Sequence, residues 1–450
     1  MGRLARRVSR RPALTIALAI AVLMSASAAL ELRWAPPAHG RLSADERAYL
    51  RLARDVVERG HWGDLGLKQP FRWAPGTPLL FAAAAELTGQ PVDRQTAVGA
   101  QVAVGTLLIP ATFLLAAALA GPLAGLGASV VVTVYQPLSR ASGTTGTETL
   151  GALMIVLALL MLAWSMRDQG RRPTRFLAAG GTLGLAALVR GDLVPVAVLL
   201  PFVVTMAASR ISGMRRGLMS GAVMLSGAVA VMAPWSVFAS SHAHHVVPVT
   251  DGGAANLFVG TDLPANGTIF GVKRQFAAQT RRVHPATRHV RTFALPEELV
   301  LDAVAAQYPG RTRDAALRAA ARENLRRYAL GRPVAFAGME VRKLWRMWGG
   351  AYAGTRHRAG PGATWEHRLL AGVALLGLLG AIGVVRDMRL VVLLAFIVLT
   401  TVVDVVFVSE ARHNVRLMPA LLAGGSAGWS MIIRRVHGRR GTWPCLVRGR

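Results

Sequence analysis

About ten apolar stretches, separated by short connectors rich in arginine, decide most of what this chain can fold into. A run of roughly 20 apolar residues satisfies its backbone polar groups within its own helix and so crosses a bilayer. The runs fall at about 13–30, 96–120, 123–135, 147–166, 176–189, 193–208, 218–235, 369–385, 390–408 and 417–433. With 53% hydrophobic residues in 450 and a mean hydropathy of +0.40, the chain reads as an all-α polytopic membrane protein. Ala and Gly within the runs suit close helix packing in lipid.

The net charge of +29 would suggest nucleic acid in a soluble protein. Here much of it sits in connectors beside apolar runs, where the positive-inside bias puts it, so membrane lipid is the expected partner and nucleic acid is not. The cluster Arg3 to Arg11, the connector 167–175, the group Arg210, Arg215 and Arg216, the turn 386–389 and the tail from Arg434 all belong on the cytoplasmic side. Three polar segments then share the external face of the cytoplasmic membrane: 33–78, 236–365 and 409–416. The expected division is a transmembrane core (1–235) with an external loop at 33–78, an external domain (236–365) with helix-like stretches at 297–307 and 313–328, C-terminal spans (366–433) and a basic cytoplasmic tail (434–450). Residues 1–30 resemble a signal peptide, but the alternation closes with them as an uncleaved anchor. The lone Cys445 can form no internal disulfide.

The loop reads SADERAYLRLARDVVERGHWGDLGLKQPFRWAPGTP over 43–78. Ser43-x-x-Glu46 is a capping-box pattern, and Tyr49, Leu52, Ala53, Val56 and Val57 follow a helical period. The expectation is an amphipathic helix flat on the bilayer, with Arg47, Arg51, Arg54 and Arg59 toward headgroups. Asp45 and Glu46 occupy its first turn, where capping alone would also explain them. Trp62, Phe71 and Trp73 read as interfacial anchors. The short apolar segment 77–89 reads as a re-entrant or surface helix.

Ionisable residues inside or at the ends of spans need partners, and the set is short: Glu86, Glu148, Arg190, Asp192, Asp404 and Arg412. Each has an ordinary structural reading, as a snorkelling arginine, a cap or a loop charge. Their convergence is more informative, because Glu148, Arg190, Asp192 and Arg412 fall at external ends of spans, on the side of Asp45. Two arginines at a bilayer edge suit a lipid-linked phosphate, and a carboxylate suits proton removal from a hydroxyl.

The stretches ADERAYLRLA, RWAPGTPLLFAAAAELTG, SGTTGTETL, GLAALVRGDLVPVAVLLP, APWSVFASSH, VPVTDGGAANLFVGTD and SEARHNVRLMPALL, in that order, resemble the GT-C glycosyltransferases that use polyprenyl-phosphate sugars. That group includes protein O-mannosyltransferases and the lipid A aminoarabinose transferases. The resemblance implies a GT-C-like bundle and an inverting transfer of a sugar from a polyprenyl phosphate to a hydroxyl of a protein, lipid or polysaccharide acceptor. It implies Asp45 as catalytic base with Glu46 beside it, Arg190 and Arg412 on the lipid phosphate, and Glu148 shaping the sugar or acceptor pocket with Tyr49 of the first motif. His242, His244 and His245 are a weaker candidate for phosphate or metal, set against a solvated loop. The resemblance fixes no cofactor; a divalent metal stays open but disfavoured, because Gln69-Pro70 stands where some relatives place Glu or Lys before the proline. The competing reading is a lipid-linked sugar flippase or other transporter, and a third is a non-catalytic assembly partner. Asn266-Gly-Thr268 matches a glycosylation sequon and carries little weight.

Overall fold

The structure, a computed structural model, describes residues 2–37, 42–63, 70–168, 172–352, 354 and 359–438. Gln69, Cys445 and the tail beyond 438 lie outside the described residues, as do the side chains of the N-terminal arginine cluster. The first half runs α1 (Gly2–Arg33), α2 (Ala44–Arg59), α3 (Gly76–Thr88), α4 (Arg94–Ala120), α5 (Pro122–Val134), α6 (Gln136–Ser142), α7 (Glu148–Arg167), α8 (Pro173–Val189), α9 (Val194–Ser212) and α10 (Met214–Ala243). The second runs α11 (Gly253–Thr261), α12 (Ile269–Val283), α13 (Glu297–Ala305), α14 (Arg313–Asn324), α15 (Pro333–Trp348), α16 (Pro361–Val385), α17 (Met388–Val406), α18 (Ala411–Val415) and α19 (Met418–Gly438). Among the described residues there is no strand.

Among the described residues, seven helices are long and apolar enough to cross a membrane: the 13–33 part of α1, α4, α7, the segment 191–212 carrying α9, α10, α16 and α17. The chain is a multi-pass membrane protein. The expectation of about ten is reached only by adding α19, with 21 residues, and the shorter apolar α5 and α8, with 13 and 17. At about 1.5 Å per residue, α5 covers roughly 20 Å, less than the hydrocarbon thickness.

Glycine lets α8 and α10 come together. A Cβ on Gly180 would overlap the Met224 carbonyl, and one on Gly227 the Leu177 carbonyl. α16 and α19 meet in the same way at Gly377, Gly425 and Gly428. α10 continues past Trp235 to Ala243, so the expected boundary at 235 falls inside a helix. Beyond it, α11 to α14 enclose a small core of their own around Phe258, Val272, Leu301 and Leu317.

The placement of α2 differs from the expectation. Its capping box forms, with Glu46 N–H donating to Ser43 Oγ at 3.2 Å and Ser43 N–H to Glu46 Oε2 at 2.7 Å, and Gly60 ends it in the left-handed region at φ 68°. Its apolar face does not meet lipid: Tyr49, Leu50 and Ala53 pack on Phe81, Ala82 and Ala85 of α3 and Ala97 of α4. Protein surface of the right shape competes with the bilayer for the same apolar stripe, and here it wins. Trp62 and Phe71 are buried with Trp235 and Phe238 rather than anchored at an interface, the Trp62 and Trp235 rings meeting edge-on at 4.7 Å.

Candidate active site

A cavity of about 240 Å³ opens where α2, α8 and the α17–α18 connector meet. Asp45 comes to it from the first turn of α2, placed there by the Ser43 cap one helical turn from Tyr49, which also lines it. Arg190 follows the last residue of α8 in extended conformation (φ −144°, ψ 109°), before the 3₁₀ turn Gly191–Leu193. Gly76 at the start of α3 leaves no room for a Cβ against Val189, which fixes that end of α8 against the α2–α3 unit. Arg412 lies in α18, whose Asn414 side chain donates to the carbonyls of Met347 and Gly350 behind it.

The charges meet in pairs. Arg412 Nη1 donates to Asp45 Oδ2 at 2.9 Å, and its Nε lies 3.0 Å from Glu410 Oε2. Both Arg412 and Asp45 keep over a third of their side-chain surface open. Arg190 Nη1 donates to Thr147 Oγ1 at 2.9 Å and reaches Glu148 Oε1 at 3.4 Å, while its Nη2 donates to Asp192 Oδ2 at 3.0 Å. Behind it, fully buried Arg416 grips two carboxylates: Nη1 donates to both oxygens of Asp192 at 2.7 and 2.8 Å, and Nη2 to both of Asp404 at 2.7 Å. An unpaired charge in that position would cost several kcal/mol, so the alternation Arg190, Asp192, Arg416, Asp404 is what lets the chain be buried.

Of the six residues expected from sequence, Asp45, Tyr49, Arg190 and Arg412 line one cavity. Glu148 stands behind Arg190, at the N-terminus of α7, as a partner rather than a wall. Glu46 points away from the cavity. Only 2% exposed, its carboxylate accepts from Ser43 N–H and from Arg94 Nη2 at 3.1 Å. Burial resists its ionisation, but these donors outweigh burial and hold its pKa below the usual value. Tyr49 is pushed above its ordinary range, first by burial and then by the charges of Asp45 and Glu148, so it stays a neutral hydroxyl. His242, His244 and His245 are absent from the lining; His245 Nε2 pairs with Asp251 at 2.8 Å. Asn266 of the sequon accepts from Arg342 Nε at 2.9 Å.

Among the further residues that reach the cavity are Arg72, Trp73 and His413, which sequence reasoning missed or read otherwise. Arg72 forms ion pairs with Glu297, at 3.0 Å, and Glu298 of α13, and its guanidinium sits 5.2 Å from the Trp73 ring centre. Trp73 meets Tyr49 edge-on at 5.3 Å. His413, 6% exposed, has an Nδ1 without a hydrogen-bond partner. The RWAP motif was the available signal for the first two; adjacency to Arg412 was the only one for His413.

The arrangement presents guanidinium N–H groups beside a carboxylate in a partly open hollow, a setting for binding an anion next to a base. The donor set around Asp45 does not suit a cation: its nearest charged partner is Arg412, and among the described residues no group of three His, Cys, Asp or Glu gathers.

No family model and no curated protein matches the chain. Among solved structures it is similar to the oligosaccharyltransferase of Archaeoglobus fulgidus in the apo form, with a TM-score of 0.56 and 13% identity, over 94% of this chain and 51% of that one. It is also similar to AglB of the same organism in complex with an inhibitory peptide and a dolichol-phosphate, with a TM-score of 0.54 and 12% identity, over 94% and 51%. ArnT from Cupriavidus metallidurans, bound to undecaprenyl phosphate, aligns over 94% of this chain and 79% of that one at 17% identity, with a TM-score of only 0.40. The chain thus spans about half the length of the oligosaccharyltransferase structures. At such identities the likeness is one of fold alone: the chain shares its all-helical fold with the matched half of these oligosaccharyltransferase structures.

Proposed function

We propose that the chain is a membrane glycosyltransferase that moves a sugar from a polyprenyl phosphate to an acceptor hydroxyl on the outer face of the cytoplasmic membrane, with inversion. One observation carries the reading: Asp45, Arg190 and Arg412, from three distant parts of the chain, line a single cavity. The fold and the dolichol-phosphate in the AglB complex support a lipid-phosphate donor.

In this reading the donor phosphate lies against Arg412 and Arg190. The acceptor oxygen attacks the anomeric carbon as the bond from that carbon to the phosphate oxygen breaks. The electron pair leaves with the phosphate, whose growing charge the guanidinium groups stabilise. The acceptor proton passes to an Asp45 carboxylate oxygen. Arg412 acts twice, since it holds Asp45 at rest and the phosphate during transfer. Glu46 serves as a positioning residue that fixes the turn carrying Asp45, and Glu148 orients Arg190. Residues 236–365 supply the acceptor side, with Arg72 clasped by Glu297 and Glu298 at the cavity wall.

The test is transfer by purified protein from a radiolabelled polyprenyl-phosphate sugar. Asp45→Asn should abolish transfer while donor binding persists, and transfer at the wild-type rate would refute the assignment. A flippase reading draws on the buried chain Asp192, Arg416 and Asp404; it requires lipid movement between leaflets of a reconstituted vesicle without sugar transfer.

A further inference from the structure

α2 was the helix expected at the bilayer surface, and protein covers its apolar face. A different helix leaves such a face bare. Along the turn before α15 and through it, Leu330, Val334, Val341, Leu344 and Trp345 are 79%, 86%, 64%, 42% and 63% exposed. Within α15 the spacing of seven, three and one puts Val334, Val341, Leu344 and Trp345 on one side of the helix, and Leu330 precedes them across the Gly331–Arg332 turn. The other side is committed: Met339, Lys343 and Met347 are fully buried, with Lys343 Nζ donating to the Gly260 carbonyl at 2.9 Å and paired with Glu340 at 3.1 Å. α15 therefore cannot rotate to hide the bare stripe.

What covers the stripe is indicated by its continuation. An apolar groove of about 410 Å³ lies between α15 and α17, and Val341 and Leu344 share its walls with Val402 and Val406. α17 is long and apolar enough to span a membrane, and Val398, Val402 and Val406 are its exposed flank. The exposed apolar flank of the span thus meets α15 across this groove, whose surface is largely apolar although Glu340 and Thr401 stand among its lining residues. Side chains around the stripe also mark the level. The Arg368 guanidinium of α16 sits 5.1 Å from the Trp345 ring centre, Trp365 in the first turns of α16 is 69% exposed, and Arg332 and Arg342 flank the stripe at the surface. Tryptophans over an apolar band with arginines beside them are the chemistry of a headgroup boundary.

We propose that α15 lies in the plane of the bilayer with this stripe among the acyl chains and its arginines at anionic headgroups, docking the 236–365 segment onto the membrane. The inference needs only that the chain spans a bilayer and does not depend on the transferase reading. Docked in this way, α15 holds the end of α17 at interface depth. Phe407 and Val408, just beyond that end, line the polar cavity.

The test is spin-label accessibility on the full chain in nanodiscs of phosphatidylcholine and phosphatidylglycerol, in a Cys445→Ser background. Val334→Cys and Val341→Cys change exposed side chains that pack on little, so folding is not at stake. The labels should be reached by oxygen, which partitions into hydrocarbon, in preference to a water-soluble nickel chelate, as at Leu376→Cys on α16. At Arg318→Cys on α14 the ratio should invert by roughly tenfold. Chelate-accessible labels at 334 and 341 would overturn the proposal, and so would labels shielded from both relaxants, the signature of a second copy of the chain covering the stripe.

Discussion

Asp45 and Arg412 hold each other at 2.9 Å, and Arg190 is shared by Thr147, Glu148 and Asp192. Removing one member of such a set exposes the others, so the substitutions differ in what they report. Asp45→Asn keeps the shape and removes the base: transfer should fall by about 10²–10⁴-fold while donor binding persists or tightens, since Arg412 loses its resting partner, measured by turnover beside donor binding. Arg416→Met leaves Asp404 buried without its cation, while Asp192 keeps Arg190, and should destabilise the protein by about 3–5 kcal/mol, read as a lowered unfolding midpoint in detergent. Asp404→Asn combined with Arg416→Met should recover part of that loss, because the stranded charge is gone. Asp45, Tyr49, Arg190 and Arg412 could be named from sequence because each sits in a motif or at the end of an apolar run. Arg416 could not. One guanidinium among 52 basic residues is drawn inward by carboxylates 224 and 12 positions away, and nothing local marks it.

At the scale of elements, the α2 cap and the α8–α10 contact make separate predictions. Glu46 has a folded-state pKa below its ordinary value, so its contribution to stability is complete above the unfolded pKa and is lost as pH falls through the folded one. Protection of the first-turn amides of α2 against hydrogen exchange should therefore fall below about pH 4, and Glu46→Gln should flatten that dependence. Gly180→Val forces α8 away from the Met224 carbonyl and should cost at least about 1–3 kcal/mol, checked by thermal unfolding. The cap and period of α2 were legible because both are local, spanning three or four residues. The surface that its apolar face would choose was not, since α3, α4 and a bilayer all offer apolar area and only their relative placement decides.

For the whole molecule, the sided arrangement of charge predicts an outer location for α11–α15 and the cavity. In intact cells with Cys445→Ser, a membrane-impermeant maleimide should label Arg311→Cys and leave Arg215→Cys unlabelled; the reverse pattern would place the cavity on the cytosolic side. The sequence by itself determined that the chain is an all-helical, multi-pass membrane protein, because backbone groups in hydrocarbon must be satisfied within a segment and that demand is written directly in the length of apolar runs. It also marked which turns carry ionisable groups at the ends of those runs. Only the tertiary structure decided that Asp45 faces Arg412 across 367 positions, that Glu46 serves the cap and Arg94, and that α15 rather than α2 keeps a bare apolar face. Ion pairing and packing act between groups brought together by folding, and the choice among many arginines and several amphipathic helices depends on distances that no local pattern encodes.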